Sequence, residues 1–199
     1  MPADRAQGRD RRSAPVLCKK LHHAAYRCRD ARETVEFYTK VLGLKFSHVM
    51  GEDHVPSTGV YSPHIHVFFQ MEDGSHIAFF EAPRDRGNMR DMEMPDWIQH
   101  FAFEVESVKA LLEAKRALES KGVEVVGPTN HDDFILSIYF FDPSGHRLEL
   151  TTRLSSADRD SEFEKEAPEA LAVWEQTHDW SQRQRIFGAQ RGYVRPKPT

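Results

Sequence analysis

The chain has 199 residues, of which 39% are hydrophobic and 29% are charged, and its formal net charge is −4. This composition predicts a soluble globular protein, and no apolar run approaches the ~20 residues that span a bilayer. The mildly negative charge argues against nucleic acid as the main partner. The two cysteines, Cys18 and Cys28, form neither a metal-binding pair nor a disulfide framework, so we expect a cytoplasmic protein.

The first part of the chain predicts a short arm followed by a β-α-β-β-β module. Residues 1–15 are polar and Arg-rich and lack the apolar segment of a signal peptide, which predicts a disordered arm. The module, residues 16–82, begins with a strand at Lys20–Arg29 and a helix at Ala31–Leu42, for which Asp30 is the expected N-cap. The remaining strands are predicted at Lys45–Val49, Val60–Gln70 and His76–Glu81, with a polar loop over residues 51–59.

The same order of elements repeats after a charged linker at residues 83–97. In the second module, residues 98–153, we predict a strand at Ile98–Val105, a helix at Val108–Lys121 capped by Ser107, and a strand at Val123–Val126. A loop carrying His131 and a hairpin close the module. The hairpin strands are Ile135–Phe141 and Arg147–Thr151, joined by the turn Asp142-Pro143-Ser144-Gly145.

Two such units cannot each bury a sheet face alone, so we expect them to pair. The predicted fold is α+β: two paired βαβββ modules that form a half-open mixed β-barrel. Residues 154–199 predict a helical extension, with a helix at Ala157–Gln184, and a basic tail from Arg183. The apolar side chains of this extension, among them Trp174, Trp180 and Phe187, are expected to pack on the modules or on a second subunit.

The alternation of side chains along strands selects three candidate metal ligands. Phe101, Phe103 and Val105 would face the helix of module two, so His100 faces the concave side. The repeat aligns His23 with His100, and Glu149 in the closing strand faces the same side. A buried carboxylate is unfavourable unless it is paired or metal-bound. His23, His100 and Glu149 would form a two-His, one-carboxylate site, which suits Fe(II) and also Mn²⁺ or Zn²⁺. The alternative is that the histidines are ordinary strand residues and that Glu149 pairs with Arg147.

The paired modules, the inward His at the start of each and the closing Glu149 resemble the vicinal oxygen chelate superfamily over about Lys20–Arg153. This superfamily includes glyoxalase I, extradiol ring-cleaving dioxygenases and bleomycin resistance proteins. The stretch Thr129–Glu149 is similar to the extradiol dioxygenase signature, whose places are filled here by Thr129, Asn130, His131, Ile138-Tyr139, Asp142-Pro143, Gly145 and Glu149. The resemblance implies that His23, His100 and Glu149 ligate Fe(II). It also implies that His131 and Tyr139 contact the substrate hydroxyl and dioxygen.

The position of a fourth ligand separates the activities known in this superfamily. Aligning the modules through His76 and His146 sets Phe79 against Glu149, at the place where glyoxalase-like relatives supply a further ligand. Phe cannot ligate, which favours an open site, although Glu81 on the same face would restore a fourth ligand after a small register shift. The resemblance also implies an acid–base His near the end of module one. By alternation His76 should point away from the metal, and His64 and His66 are the other candidates.

The expected function is therefore an Fe(II)-dependent extradiol dioxygenase that acts with O₂ on a catechol-like small molecule, as a homodimer. One alternative is a lyase or isomerase of the glyoxalase type, which would use Zn²⁺, Ni²⁺, Co²⁺ or Mn²⁺ with Glu81 as an extra ligand. Another is a non-catalytic protein that binds a small molecule between its modules.

Overall fold

A computed structural model of the chain describes residues 20–84, 87, 89, 91, 93–131, 133–155 and 157–178. The arm predicted at residues 1–15 and the tail from Arg183 lie outside the described residues, as do Trp180 and Phe187. No helix in the described part of the chain is both long and apolar enough to cross a bilayer.

The fold consists of two β-α-β-β-β modules followed by a helix, as the sequence predicts. The elements of module one are β1 (His23–Arg27), α1 (Ala31–Glu36), which continues as a π-helical turn (Phe37–Val41), β2 (Lys45–His54), β3 (Tyr61–Gln70) and β4 (His76–Glu81). Those of module two are β5 (His100–Glu104), α2 (Val108–Ser120), β6 (Val126–His131), β7 (Ile135–Phe141) and β8 (Arg147–Arg153), and α3 spans Ala157–Thr177.

Each module forms its own four-stranded sheet with the same topology. The strand orders are β1-β4-β3-β2 and β5-β8-β7-β6, and in both sheets the first pair is parallel and the others are antiparallel. The α+β class and the repeat are thereby confirmed. In the described ranges no strand pairing joins the sheets, so one chain presents the predicted barrel as two separate sheets.

Local capping explains where the helices of the two modules begin. The Asp30 side chain accepts a hydrogen bond from the backbone N–H of Glu33 at 2.8 Å, and the Ser107 hydroxyl accepts one from Ala110 at 3.2 Å. Each cap satisfies one of the backbone donors that a helix leaves unpaired at its first turn. Both N-caps lie where the sequence predicts them.

One strand extends beyond its predicted limits, and another is shifted along the chain from the predicted Val123–Val126. β2 continues to His54 instead of ending at Val49, because the residues predicted as a polar loop pair with β3. β6 begins at Val126 and ends at His131, so His131 lies on a strand and not in a loop. A register shift at Gly127 makes this possible: Gly127 has φ +108°, and a Cβ there would lie 2.8 Å from the Ser137 carbonyl oxygen. Only glycine fits such a position.

The helix-facing sides of both sheets share one hydrophobic core. At its centre Tyr38 is fully buried, with ring centroids 5.0 Å from Phe69 and 4.9 Å from Phe79. The core continues through module two in Leu111, Leu118, Ile138, Phe140, Leu148 and Leu150. Among the described helices, α1 and α2 pack on these buried faces and leave the opposite, concave faces of the two sheets open.

Polar contacts on the helix side also join the two modules. The Tyr38 hydroxyl donates to Asp142 at 3.1 Å, and the His146 ring nitrogen Nε2 lies 2.7 Å from the Arg27 carbonyl oxygen. The backbone N–H groups of Ser144 and His146 also donate to Asp142. Burial raises the pKa of the Asp142 carboxyl above its ordinary value. The turn between β7 and β8 is thus anchored in the core of module one.

The extension, by contrast, packs only in part on the modules. Phe163 of α3 contacts Phe134, with ring centroids 5.0 Å apart. Leu171 and Trp174 on the same helix remain exposed in the single chain. The helix was expected to pack on the modules or on a second subunit, and Phe163 packs on module two.

Candidate metal centre

The concave face of module two brings together four of the five predicted site residues. Glu149 on β8 lies opposite Ala102 of β5 on one side and opposite Tyr139 of β7 on the other. Glu149 is only 4% exposed, and its Oε2 lies 2.9 Å from Nε2 of His100. A buried carboxylate that faces an imidazole nitrogen is a suitable donor pair for a divalent metal ion.

Tyr139 and His131 form a second polar pair on this face. The Tyr139 hydroxyl lies 2.7 Å from Nε2 of His131, and its ring centroid lies 6.2 Å from that of His100. Burial, and next the charge of Glu149, raise the pKa of Tyr139 above its ordinary value. The phenol therefore stays protonated at neutral pH and can donate a hydrogen bond.

Arg147 completes this face, but not in the way the sequence suggested. Its guanidinium carbon lies 4.3 Å from the centre of the Tyr139 ring. Glu149 contacts His100 and not Arg147. The alternative in which Glu149 pairs with Arg147 is therefore wrong for this structure, and Arg147 is a further residue of the site that the sequence did not predict.

His23 lies on the concave face of module one, away from the other two predicted ligands. Its ring centroid is 6.0 Å from that of His66 and 5.6 Å from that of Phe68, and its Nδ1 lies 2.8 Å from Nδ1 of His22. Among the described residues, no three His, Cys, Asp or Glu side chains come close enough to hold a metal ion. A single chain therefore presents His23 separately from the His100–Glu149 pair.

The strand register corrects the predicted place of a fourth ligand. Ala25 pairs with Ala78 in module one as Ala102 pairs with Glu149 in module two, so the counterpart of Glu149 is Ala78 and not Phe79. Phe79 is fully buried on the helix side. An alanine, like a phenylalanine, cannot ligate a metal.

Glu81, the alternative fourth ligand, has a structural role on the helix side. It lies on the same face as Phe79, as the sequence predicts, but this is not the concave face. Its Oε2 accepts a hydrogen bond at 2.7 Å from the backbone N–H of Ala31, at the start of α1. A carboxylate at a helix N-terminus is stabilised by the unpaired donors there. The prediction that a small register shift brings Glu81 to the metal is wrong within this chain.

The remaining candidate histidines belong to the concave face of module one. His76 is the register partner of His23 and shares its face, so the expectation that it points away was wrong. His64 and His66 line a cavity of about 730 Å³, together with Met50, Glu52 and Phe80. The His66 ring stacks on Phe80 at 3.6 Å, and burial lowers its pKa to about 4. His66 is therefore neutral near pH 7.

These features define a class of protein: paired βαβββ modules with histidine-bearing concave faces. The family model of the Glyoxalase/Bleomycin resistance protein/Dioxygenase superfamily matches residues 20–150. The chain belongs to this superfamily. Comparison with curated proteins finds no match.

Solved structures share the fold over about two thirds of the chain. Integron cassette protein HFX_CASS4, from the mobile metagenome of the Halifax Harbour sewage outfall, is 29% identical, with 68% of this chain and 99% of that chain covered and a TM-score of 0.50. A glyoxalase family protein from Enterococcus faecalis is 23% identical, with 67% and 97% covered and a TM-score of 0.51. TnmS3, an antibiotic binding protein from Streptomyces sp. CB03234, is 15% identical, with 70% and 99% covered and a TM-score of 0.50. The last two similarities show the fold alone.

Proposed function

We propose that the chain is an Fe(II)-dependent extradiol-type dioxygenase that cleaves a catechol-like aromatic substrate with O₂. The observation that carries this proposal is the grouping of His100, Glu149, Tyr139 and His131 on one concave face. Fe(II) held by His23, His100 and Glu149 would supply open coordination positions for substrate oxygens and O₂ and would exchange electrons with them.

The donor set supports an open three-ligand site over a closed one. Glu149 and His100 already face each other at 2.9 Å. Ala78 stands where a fourth ligand from module one would be needed, and Glu81 is engaged by the N-terminus of α1. Oxygen chemistry requires free positions on the metal, so this arrangement favours the dioxygenase over a four-ligand lyase.

The Tyr139–His131 pair supplies the proton chemistry. Tyr139, held protonated by its raised pKa, is a donor for an oxygen of the bound substrate. His131 contacts the Tyr139 hydroxyl, and its imidazole can accept a proton from it and return it. Each residue would act directly on the substrate, and neither is needed to hold the metal.

We also propose that a second copy of the chain completes the site. His23 and the His100–Glu149 pair lie on different concave faces, and among the described residues no strand pairing joins the two sheets. These faces expose large apolar side chains: Met50 is 50% exposed and Val126 60%. If module one of each copy packs on module two of the other, His23 of each chain lies beside the His100–Glu149 pair of the other chain. The dimer then has two equivalent sites.

Anaerobic reconstitution with Fe(II), followed by oxygen-uptake assays on a panel of catechols, tests the reaction. We expect oxygen consumption and a yellow ring-opened product with at least one catechol. His100→Ala should lose both bound metal and activity, whereas the exposed control His54→Ala should keep both. If the Fe(II)-loaded protein consumes no oxygen with any catechol, the dioxygenase proposal is wrong.

A second candidate function is the binding of a small molecule without chemistry. Two observations favour it: His100 and Glu149 already pair with each other, and module one carries a cavity of about 730 Å³. TnmS3, which shares the fold, is described as an antibiotic binding protein. A binder should be purified without stoichiometric metal, and His100→Ala should leave its ligand affinity largely unchanged. Metal analysis of the purified protein separates the two functions.

A further inference from the structure

Arg147 lies beside the proposed metal ligands on the concave face of module two. It is the register partner of His100 on β5, and it precedes Glu149 by two positions on β8, so all three side chains share one face. Its guanidinium lies over the Tyr139 ring at 4.3 Å. A positive charge is therefore fixed next to both the metal ligands and the proposed proton donor.

This guanidinium has hydrogen-bonding capacity that the described part of the chain leaves unused. Its Nε is buried and has no hydrogen-bond partner, and no carboxylate in the described ranges lies within ion-pair distance of Arg147. Glu149, the nearest candidate in sequence, is engaged by His100. Arginine has five donors and remains charged in proteins, so a buried guanidinium nitrogen without an acceptor is unfavourable and suggests that a ligand supplies one.

A second arginine on the same strand and face shows the usual arrangement. Arg153 lies six positions after Arg147, and its Nε is 3.8 Å from a carboxylate oxygen of Glu104. Its guanidinium carbon also lies 5.8 Å from the centre of the Phe134 ring. Both arginines therefore contact an aromatic ring, but among the described residues a carboxylate partner is found for Arg153 and not for Arg147. Of the two arginines, Arg147 lies nearer to Glu149 along the strand.

We infer that Arg147 is a specificity-determining residue that binds a carboxylate on the substrate, so the preferred substrate is an anionic, carboxylate-bearing catechol. The inference rests on the proposed function, because it concerns the same site. The planar guanidinium matches a carboxylate through two parallel hydrogen bonds. The Tyr139 ring supports it from one side through a cation–π contact. Phe141, the partner of Arg147 on β7, is 44% exposed and offers an apolar surface for the substrate ring.

Equilibrium binding under anaerobic conditions tests the inference without requiring turnover. The probes are catechol, 2,3-dihydroxybenzoate and 3,4-dihydroxybenzoate, titrated into the protein as purified and after Fe(II) loading. We expect the wild type to bind one of the two carboxylates about ten- to hundred-fold more tightly than catechol, as a charge-assisted hydrogen bond pair would provide. Arg147→Met should abolish this preference, so that the carboxylates bind no more tightly than catechol.

Two further variants control for charge and folding. Arg153→Met removes a second arginine from the same face and strand and should retain the full preference for the carboxylate. Arg147→Lys keeps the charge but loses the planar fork, so it should retain only part of the preference, and it covers the case in which Arg147→Met does not fold. Circular dichroism melting checks the fold of each variant.

Two results would overturn the role of Arg147. One is a wild type that binds all three probes equally, and the other is a carboxylate preference that survives both Arg147 substitutions. A failure of the proposed reaction would look different. In that case no catechol would support oxygen uptake, while Arg147 would still determine which aromatic molecules bind.

Discussion

A complementation experiment tests whether one metal centre is built from two chains. The perturbation is a pair of single substitutions, His23→Ala in one chain and Glu149→Ala in the other. His23 lies on the concave face of module one and Glu149 on that of module two. Each variant alone removes one ligand from both sites of a homodimer, so each should bind little Fe(II).

The expected recovery follows from the arrangement of the two half-sites. A mixed dimer has one site with both substitutions and one site with neither. When the two variants are mixed in equal amounts, unfolded and refolded together, about half of the dimers are mixed. About one quarter of all sites are then intact, so Fe(II) binding and oxygen uptake should recover to about one quarter of the wild-type level.

Metal content, measured after anaerobic loading, is the primary readout because it does not depend on the substrate. Chains that carry both substitutions provide the matched control, because every site formed when they are refolded with either single variant lacks His23, Glu149 or both. A mixture that binds no more Fe(II) than the separate variants, although size-exclusion chromatography shows mixed dimers, would refute a site shared between chains.

Three other predictions concern residues around the centre. Glu81→Ala should destabilise the fold by about 1 kcal/mol, through loss of the hydrogen bond to Ala31, and should leave the metal content unchanged, as measured by chemical denaturation and metal analysis. Tyr139→Phe removes the hydroxyl that contacts His131 and should lower the rate of oxygen uptake about tenfold or more while Fe(II) binding persists; an unchanged rate would exclude Tyr139 from the chemistry. Burial raises the pKa of the Asp142 carboxyl, so its ionisation opposes folding. The free energy of unfolding of the wild type should therefore rise relative to that of Asp142→Asn as the pH falls from 7 towards 3.8, the ordinary pKa of this carboxyl. Denaturation curves at several pH values check this, and parallel pH profiles of the two proteins would contradict it.

Local patterns in the sequence predicted the elements and the faces of the key residues. Asp30 and Ser107 cap the helices as expected, because capping depends on a few neighbouring residues. The alternation of polar and apolar residues correctly assigned His100 and Glu149 to one face. The hairpin turn at Asp142 correctly predicted that Tyr139 and Glu149 lie side by side.

The sequence could not align the last strands of the two modules, β4 and β8, residue by residue. Matching His76 with His146 was an error of one position, because His76 begins a strand whereas His146 lies in the turn before one. A shift of one residue moves every side chain to the opposite face of a strand. That shift of one residue explains why the sequence predicted Phe79, and not Ala78, as the counterpart of Glu149.

The relative placement of the modules was also beyond the sequence. His23 and His100 occupy equivalent positions in their modules, and the repeat correctly identified this. Whether the two concave faces meet within a chain depends on long-range packing, in particular on how the β7–β8 turn contacts Tyr38. No local pattern in either module contains that information.

The same junction has a mechanical consequence for the proposed homodimer. The contacts of Tyr38 with Asp142 and of His146 with Arg27 join the modules on the helix side, through buried groups. Each chain would therefore move as one rigid body, with His23 in one half-site and the His100–Glu149 pair in the other. Metal binding at one site would fix the distance between His23 of one chain and the His100–Glu149 pair of the other. Because the chains are rigid, the same distance at the second site would be fixed too, so the metal affinities of the two sites would be coupled.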